Sequence, residues 1–256
     1  MKNLAIIQAR TGSTRLPGKV LIKIEGVTVL EHVISRVLRA KLVDDVLVAT
    51  TNLPEDDIIL KIARGLNVRS YSGEEKDVLD RYYQASKNEG ADNIVRITAD
   101  CPMIDPGIID MIIGEHMKVF VDYTSNTLVD SFPDGEDVEV FSFEALKSAW
   151  NEALLMSERE HVTPYIKKHK ELFKQNSIIS KIDYSTKRWT LDTEDDLRFI
   201  ETIFKALYKE DNYFGMDKIL TFLRDNIGIE RNNSHIIRNE GYLKSLIEDK
   251  DVLNNG

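Results

Sequence analysis

The chain has 256 residues, of which 42% are hydrophobic and 30% charged, so it can bury a substantial core without disulfides. Its formal net charge of −9 makes double-stranded nucleic acid a poor match as the main ligand. The single cysteine, Cys101, excludes an intramolecular disulfide and any zinc cluster with two or more thiolates, and it favours a reducing cytoplasm. The apolar runs predict neither a signal peptide nor a membrane span.

Strands and helices alternate through the first hundred residues. Apolar runs predict a buried strand at 4–7 and a second strand at 46–49, and further strands are predicted at 68–71 and 93–98. Helical spacing predicts helices at 27–43, 55–64 and 77–88. This alternation is typical of an α/β fold with a mostly parallel sheet, in which ligands bind beyond the carboxyl ends of the strands.

The second half of the chain is less regular. Helices are predicted at 108–117, 143–155 and 158–168, with another opening at Thr193, where Asp196 completes a capping-box pattern. Strands are predicted at 119–123, 138–141, 178–182 and 188–191. The polar segment 125–137 is long for a loop and so is a candidate functional segment. We predict one α/β domain over 1–210, with a helical extension over 211–256 packed on it.

The turn after the first predicted strand carries the strongest chemical signal. It reads QARTGSTRLPGK from Gln8 to Lys19. Its Gly-Ser-Thr segment offers N–H groups and hydroxyls that can cradle phosphate, and Arg10, Arg15 and Lys19 can neutralise a triphosphate. The alternative is an ordinary basic surface loop.

Two common phosphate motifs do not fit this turn. Five residues separate Gly12 from Gly18, and Val20 stands where a Walker A loop needs Ser or Thr to hold magnesium. No G-x-G-x-x-G follows the strand either, which disfavours a dinucleotide-binding Rossmann site.

Two carboxylates follow predicted strands, Asp100 in RITADCP and Asp192 in RWTLDT. At the carboxyl edge of a parallel sheet they could hold a magnesium ion, whose remaining ligands would be water and nucleotide phosphates. Taken singly, each Asp is more often a helix cap or a turn residue. Cys101, beside Asp100, is better explained as a buried structural thiol than as a nucleophile.

These motifs resemble those of the CMP-sugar-acid synthetases, especially the CMP-KDO synthetase-like branch that includes the spore coat polysaccharide protein F family. The resemblance covers about the first 200 residues. It is carried by QARTGSTRLPGKVL, then by Ser72-Gly73, Asp77 to Tyr82, Thr98 to Pro102, Phe132 to Phe141, Arg159 to Tyr165 and Thr190 to Leu197. It implies a nucleotide-diphospho-sugar-transferase-like (Rossmann-like) α/β fold.

The resemblance also implies a magnesium-dependent cytidylyltransferase, in which an acceptor hydroxyl attacks the α-phosphorus of CTP and pyrophosphate leaves. It assigns catalytic roles to Arg10, Arg15, Lys19 and Asp100, and it makes Asp100 and Asp192 the metal ligands. It places the nucleotide against Ala9, Arg10, Gly12, Ser13, Arg15, Lys19, Ser72, Gly73, Arg81 and Asp100.

The acceptor side is less well defined by the sequence. The candidate acceptor-binding residues by position are Asn126, Asp137, Glu139 and His161. A helical His beside Val162 is about as often structural, and Glu139 alternates with valines, so it could equally be the solvent-facing residue of a strand.

We therefore predict a cytoplasmic cytidylyltransferase that uses CTP, Mg²⁺ and a small sugar-acid-like acceptor for surface polysaccharide or flagellar glycan synthesis. The resemblance further implies a homodimer, with no nucleic-acid or membrane partner. One alternative is a glycosyltransferase of related fold, which the missing Asp-x-Asp motif disfavours. The other is a non-catalytic nucleotide-binding protein.

Overall fold

The fold is built on a seven-stranded sheet, described here from a computed structural model of residues 1–233, 235–236 and 238–255. The strands are β1 (Asn3–Gln8), β2 (Lys23–Ile24), β3 (Val27–Thr28), β4 (Asp45–Thr51), β5 (Arg69–Gly73), β6 (Asn93–Thr98), β7 (Tyr123–Ser125), β8 (Glu139–Ser142) and β9 (Gln175–Ser177). The helices are α1 (Val29–Val37), α2 (Asp57–Gly65), α3 (Val78–Glu89), α4 (Pro106–Val119), α5 (Phe143–Glu152), α6 (Met156–His161), α7 (Pro164–Lys168), α8 (Glu194–Leu207), α9 (Met216–Asp225) and α10 (Glu240–Asn255).

The predicted α/β class with a mostly parallel sheet is confirmed. The strand order of the seven-stranded sheet is β5-β4-β1-β6-β8-β7-β9, and β5, β4, β1 and β6 are mutually parallel; β2 and β3 pair with each other in a separate two-stranded sheet. β8 runs antiparallel to both of its neighbours, whereas β9 is parallel to β7. Gln8 pairs with Thr98, so the turn after β1 and the turn after β6 begin side by side at one edge of the sheet.

The central strands are buried on both faces, which explains their continuous apolar runs. In β1, Ala5 and Ile7 contact one hydrophobic cluster, whereas Leu4 and Ile6 contact the other. The first cluster includes buried side chains of α1, α4, α8 and α9, and the second includes those of α3, α5 and α7. The sheet is thus sandwiched between two helical layers.

Capping sets two helix starts. Thr28 and Glu31 form a capping box, so α1 begins at Val29 rather than at the predicted residue 27. The capping box predicted at Thr193 is confirmed: the Thr193 hydroxyl accepts from the backbone N–H of Asp196 at 3.3 Å. The Asp196 carboxylate accepts in return from the backbone N–H of Thr193 at 3.0 Å.

The strand predicted at 119–123 is wrong. Helix α4 continues to Val119 and ends at Phe120, which adopts a left-handed conformation with φ 47°. The pairing strand β7 starts only at Tyr123. The apolar residues at the end of α4 therefore continue a helical pattern that the sequence alone does not distinguish from a short strand.

Two further predicted elements also differ. The single helix predicted at 158–168 is two helices, α6 and α7, because the chain turns at Val162 with φ 71° and Pro164 starts a new helix. The strands predicted at 178–182 and 188–191 are absent from the described residues there; the nearby strand is β9, and Arg188 makes one isolated bridge with Asp134.

The last part of the chain packs in two different ways. Phe214 and the buried residues of α9 (Met216, Ile219 and Leu223) join the main hydrophobic cluster. Among the described side chains, α10 contributes no apolar residue to either cluster, and its Leu243 and Ile247 are 48% and 61% exposed. Within the described residues, no helix is both long and apolar enough to span a bilayer.

Candidate active site

A cleft of about 830 Å³ lies at the carboxyl ends of β1 and β6. It brings together most of the site residues predicted from the sequence, namely Ala9, Arg10, Ser13, Arg15, Lys19, Arg81, Asp100, Asp137, Glu139, His161 and Asp192. Four predicted site residues do not line it: Gly12, Ser72, Gly73 and Asn126.

Lys19 joins the two carboxylates predicted to bind metal. Its Nζ donates to Asp100 Oδ2 at 2.6 Å and to Asp192 Oδ1 at 2.8 Å. Burial by itself would raise the pKa of Asp100, but the charge and hydrogen bond of Lys19 outweigh it and lower that pKa to about 2. Burial likewise opposes the charge on Lys19, and the two carboxylates overcome it and raise the lysine pKa. Lys19 and Asp100 are thus both held ionised at neutral pH.

Arg188 fixes the orientation of the Asp192 carboxylate by a hydrogen bond. Its buried guanidinium donates to Asp192 Oδ2 at 2.9 Å and to Asp134 Oδ2 at 2.7 Å. It also donates to Asp196 Oδ1 at 2.9 Å. The sequence analysis did not assign this role to Arg188, although a cation four residues before Asp192 was a visible signal.

The loop after β1 is held in shape by a buried carboxylate that the sequence analysis missed. Asp56 accepts from the backbone N–H and the hydroxyl of Thr11, at 2.8 and 2.7 Å. These hydrogen bonds and that of Thr51 outweigh burial and lower the pKa of Asp56. Gly18 closes the loop with its N–H on the Thr11 carbonyl at 3.0 Å and adopts φ 68°, which favours glycine. The cations of this loop therefore project from an ordered backbone.

Arg10 and Arg15 face the cleft with different partners. Arg10 is 44% exposed, and its ion pairs with described residues are long, to Glu75 at 3.4 Å and Glu160 at 3.9 Å. Arg15 contacts Asp192 at 3.0 Å and Glu240, on α10, at 2.8 Å. Arg10 is therefore the more accessible cation for an incoming anion.

Arg81 is a buried cation that lines the cleft without a carboxylate partner among the described residues. Within the part of the chain that the structure describes, its guanidinium donates one hydrogen bond, to the Glu75 carbonyl at 3.4 Å, and its Nε has no partner. Burial lowers its pKa. Gly73 makes room for it, because a Cβ at this position would lie 2.8 Å from Arg81 Cγ. Gly73 thus acts through Arg81 rather than by lining the cleft.

Glu139 is buried, so the alternative that it is the solvent-facing residue of a strand is wrong. Its carboxylate pairs with Arg96 and with Lys167 Nζ, the latter at 2.7 Å. It also accepts from the Tyr123 and Thr163 hydroxyls at 2.5 and 2.7 Å. Burial would raise the pKa of Glu139, but these cations and hydroxyls lower it well below its usual range. Sequence reasoning missed Lys167, which also lines the cleft.

Asn126 is fully buried and does not face the cleft. Its side-chain amide donates to the Glu136 carbonyl at 2.6 Å, and its Oδ1 accepts from the Val138 N–H at 2.9 Å. Because every buried polar group needs a partner, Asn126 is committed to holding this loop in place.

The loop that Asn126 holds carries Asp137, whose Oδ1 accepts from Arg238 at 2.6 Å. Burial outweighs this cation and raises the pKa of Asp137 to about 7.

His161 faces the cleft and touches α10. Its Nε2 lies 3.0 Å from Ser245 Oγ, and its ring meets that of Tyr242 edge-on at 5.1 Å. Burial lowers the pKa of His161 to about 4. The imidazole is therefore neutral at pH 7 and can donate or accept one hydrogen bond at each nitrogen, according to its tautomer.

The carboxylates in the cleft could supply two ligands of a metal ion whose other ligands are water and phosphate, rather than a full set of protein ligands. Within the described residues, no group of three or more His, Cys, Asp or Glu side chains is arranged to hold a metal. Asp100 and Asp192 nevertheless present oxygen atoms to one point, now taken by Lys19 Nζ. Two carboxylate ligands, completed by water and phosphate, match the way in which Mg²⁺ is usually bound.

A sheet-edge cleft with a cationic loop and paired carboxylates defines an α/β protein of the nucleotidyltransferase type. The cytidylyltransferase family model matches residues 4–221, and the chain therefore belongs to the cytidylyltransferase family. This confirms the resemblance inferred from the sequence motifs.

Relatives of known fold or name agree with this assignment. A cytidylyltransferase structure from Leptospira borgpetersenii superposes with a TM-score of 0.87 at 30% identity, over 93% of this chain and 100% of the other. The spore coat polysaccharide biosynthesis protein SpsF of Bacillus subtilis is 32% identical over 81% of this chain and 86% of its own length. The 3-deoxy-manno-octulosonate cytidylyltransferase of Geobacter sulfurreducens is 40% identical over 43% of each chain.

Proposed function

We propose that this protein transfers CMP from CTP to a hydroxyl group of a sugar acid and releases pyrophosphate. The observation that carries the proposal is the meeting of Arg10, Arg15 and Lys19 with the paired carboxylates Asp100 and Asp192 at one end of the cleft. Cations suit a triphosphate, and two carboxylates suit the metal that accompanies it. Family membership supports the use of CTP.

In this proposal the triphosphate lies along the loop after β1. Arg10 and Arg15 take the phosphate oxygens, and Lys19 moves from the carboxylates to the phosphates or bridges the two. In the same loop Gly12 offers a backbone N–H, and Ser13, which lines the cleft, offers its hydroxyl, because the Ser13 N–H already donates to the Thr11 carbonyl at 2.8 Å. Because Asp56 already orders this loop, little conformational entropy is lost when the phosphates bind.

The base is proposed to lie near Arg81, which contacts the carbonyl of Glu75, a residue that also pairs with Arg10. A buried guanidinium with an unpartnered Nε is costly unless a ligand supplies an acceptor. The carbonyl oxygen and ring nitrogen of cytosine are acceptors of this kind. Ser72 and Gly73, at the end of β5, would then shape this end of the site through Arg81.

The metal is proposed to be Mg²⁺ held by Asp100 and Asp192. When bound, it would polarise the phosphate oxygens of the nucleotide and help to neutralise their charge. Arg188 keeps the Asp192 carboxylate turned toward the cleft. No covalent intermediate with the protein is needed.

The reaction forms a bond between the acceptor oxygen and the α-phosphorus and breaks the bond between that phosphorus and the oxygen of the leaving pyrophosphate. The acceptor hydroxyl loses a proton, and the pyrophosphate carries away the negative charge. Arg10, Arg15 and Lys19 are placed to stabilise that charge as it develops. Catalysis on this view rests on positioning and electrostatics.

The acceptor would lie against Asp137, Glu139 and His161, beside Lys167. Its proposed identity as a sugar acid, and the proposed place in surface polysaccharide or glycan synthesis, are supported by the family and by the names of the relatives given above. The homodimer, the cytoplasmic location and the domain boundary at residue 210 stay predictions.

The test is pyrophosphate release from CTP, UTP, GTP and ATP in the presence of Mg²⁺ and a panel of sugar acids and phosphorylated polyols. CTP-specific release with one acceptor would support the proposal and name the substrate. Release from a nucleotide-sugar donor instead would favour the glycosyltransferase alternative.

Asp100→Asn is the decisive variant, with Asp217→Asn as its control because Asp217 is exposed on α9. We expect the first to lose at least about 100-fold in turnover, as for the loss of one strong transition-state contact, and the control to keep wild-type activity. Equal turnover by the two variants would refute the assignment of Asp100. CTP binding without turnover by the wild type, on every acceptor tried, would favour the non-catalytic alternative.

A further inference from the structure

The C-terminal segment 238–249 forms one wall of the cleft, although it lies outside the residues that the family model matches. Glu240, Tyr242 and Ser245 all line the cleft. Arg238, just before α10, reaches the loop of Asp137 and donates to that carboxylate at 2.6 Å. The segment therefore touches the proposed phosphate end and the proposed acceptor end of the cleft.

Glu240 is the contact at the phosphate end. Its Oε2 accepts from the Arg15 guanidinium at 2.8 Å. A carboxylate on this guanidinium presents the same chemistry as a phosphate oxygen, which also accepts from arginine. Glu240 thus takes up hydrogen-bonding capacity that a triphosphate on the loop after β1 would need.

The attachment of this segment is polar. Ser245 Oγ lies 3.0 Å from His161 Nε2 and donates to Glu160 at 2.9 Å, and Asp249 accepts from the Ser157 N–H at 3.2 Å. The described apolar residues of α10 belong to neither hydrophobic cluster, as noted above. Segments held by few apolar contacts open at low free-energy cost compared with global unfolding.

The charges near Arg15 favour replacement of the Glu240 carboxylate by a triphosphate. Glu240 and Glu248 both line the cleft and would repel the negative charge of a bound triphosphate. Lys244 also lines the cleft, but it lies 3.9 Å from Glu248, whereas Glu240 contacts Arg15 directly. The side chains of Arg15 and Glu240 are 35% and 58% exposed, so solvent screens their ion pair. A triphosphate with its metal would make several charge-assisted contacts in place of this single one.

We propose that residues 238–249 form a lid over the cleft, and that Glu240 holds Arg15 in the nucleotide-free protein until the triphosphate of CTP displaces it. This inference rests on the proposed use of CTP. It makes the lid an autoinhibitory element, because closing the lid through Glu240 competes directly with nucleotide binding.

The test is the dissociation constant of CTP with Mg²⁺, measured by isothermal titration calorimetry for the wild type, Glu240→Gln, Glu240→Lys and Glu248→Gln. Removing the competing carboxylate should tighten binding by up to about fivefold in Glu240→Gln, the size expected for an exposed ion pair. Glu240→Lys should tighten it further. Glu248→Gln makes the same change in charge on the same helix without a contact to Arg15, so its effect should be smaller.

Hydrogen exchange reports on the lid itself. Saturating CTP should increase exchange of the backbone amides in 243–249, and Glu240→Gln should increase it without any nucleotide. Unchanged or weaker CTP binding in Glu240→Gln, with wild-type binding intact, would overturn the lid proposal alone. So would stronger protection of these amides by CTP. Failure of CTP to bind either protein would overturn the proposed function, and the lid proposal with it.

Discussion

Replacing Lys19 with Met tests the charge arrangement at the centre of the cleft. Lys19 is the cation that contacts Asp100, whereas Asp192 also pairs with Arg15 and Arg188. Met fills much the same volume as the lysine stem but supplies no charge and no donor. In Lys19→Met, Asp100 would keep its burial and lose its counterion, so we expect its pKa to rise above the ordinary value.

The size of the effect follows from the pKa of Asp100. Lys19 lowers that pKa from 3.8 to about 2, which corresponds to about 2 kcal/mol of folding free energy at neutral pH. Burial that is no longer compensated adds to the loss, so we expect Lys19→Met to be less stable by about 2 to 4 kcal/mol. Because the Asp100 pKa is depressed in the wild type, this stability is present above pH 3.8 and is lost as the pH falls through 2. In the variant Asp100 takes up its proton at higher pH, so the difference between the two proteins should shrink on acidification.

Urea unfolding at pH 7 and again near pH 3, below the ordinary Asp pKa of 3.8, measures both the size and the pH dependence. Lys23→Met is the matched control, since Lys23 is exposed on β2, and it should change the free energy of unfolding by no more than about 0.5 kcal/mol. A variant at Lys19 that is as stable as this control would refute the reasoning. So would a loss of stability of the same size at both pH values, because packing rather than charge would then explain it.

Three further predictions concern other positions of the cleft. Gly73→Ala should push Arg81 from its place and weaken CTP binding about tenfold by titration calorimetry, with a loss of about 1 to 3 kcal/mol in unfolding free energy, because the new Cβ would lie 2.8 Å from Arg81 Cγ. Asn126→Ala should cost about 2 to 4 kcal/mol in urea unfolding, because it leaves a buried carbonyl and the Val138 N–H without partners; a change below about 0.5 kcal/mol would show that the loop relaxes freely. Since burial lowers the pKa of His161 from 6.5 to about 4, its contribution to stability is full above pH 6.5 and is lost as the pH falls toward 4, so His161→Asn should flatten that part of the stability profile.

The fold was predictable where the pattern was local and repeated. Three of the first four strands of the main sheet, β1, β4 and β6, are largely apolar, as burial on both faces of the sheet requires, whereas the edge strand β5 is polar and partly exposed. The wrong predictions concern segments whose secondary structure is determined by tertiary contacts. Residues 119–123 carry the same kind of apolar side chains whether they end a helix or start a strand. Residues 188–191 are buried, but among the described strands they join no ladder; Arg188 makes an isolated bridge to Asp134, and the Leu191 N–H donates to the Asp100 carbonyl.

The site was predictable to the extent that its residues sit in contiguous motifs. Lys19, Asp100 and Asp192 each follow or lie in a recognisable turn, and the register of β1 with β6 brings the first two together. Asp56 and Glu240 lacked such a signal, because each acts on the loop after β1 from a distant part of the chain. Asn126 was misplaced for a related reason: a polar residue in a long loop can serve the loop itself, and only its buried partners show that it does.

The paired charges explain how a cationic site can exist in a protein with a net charge of −9. Arg15 and Lys19 each contact carboxylates, so neither bears an unbalanced charge in the cleft. A triphosphate and its metal would exchange these contacts for equivalent ones, with the metal taking the carboxylates that Lys19 releases. Arg10, exposed and only weakly paired, would meet the incoming phosphates first. Donors that are already aimed need little reorganisation when the charge shifts to the leaving pyrophosphate, which is the condition for electrostatic stabilisation of a transition state.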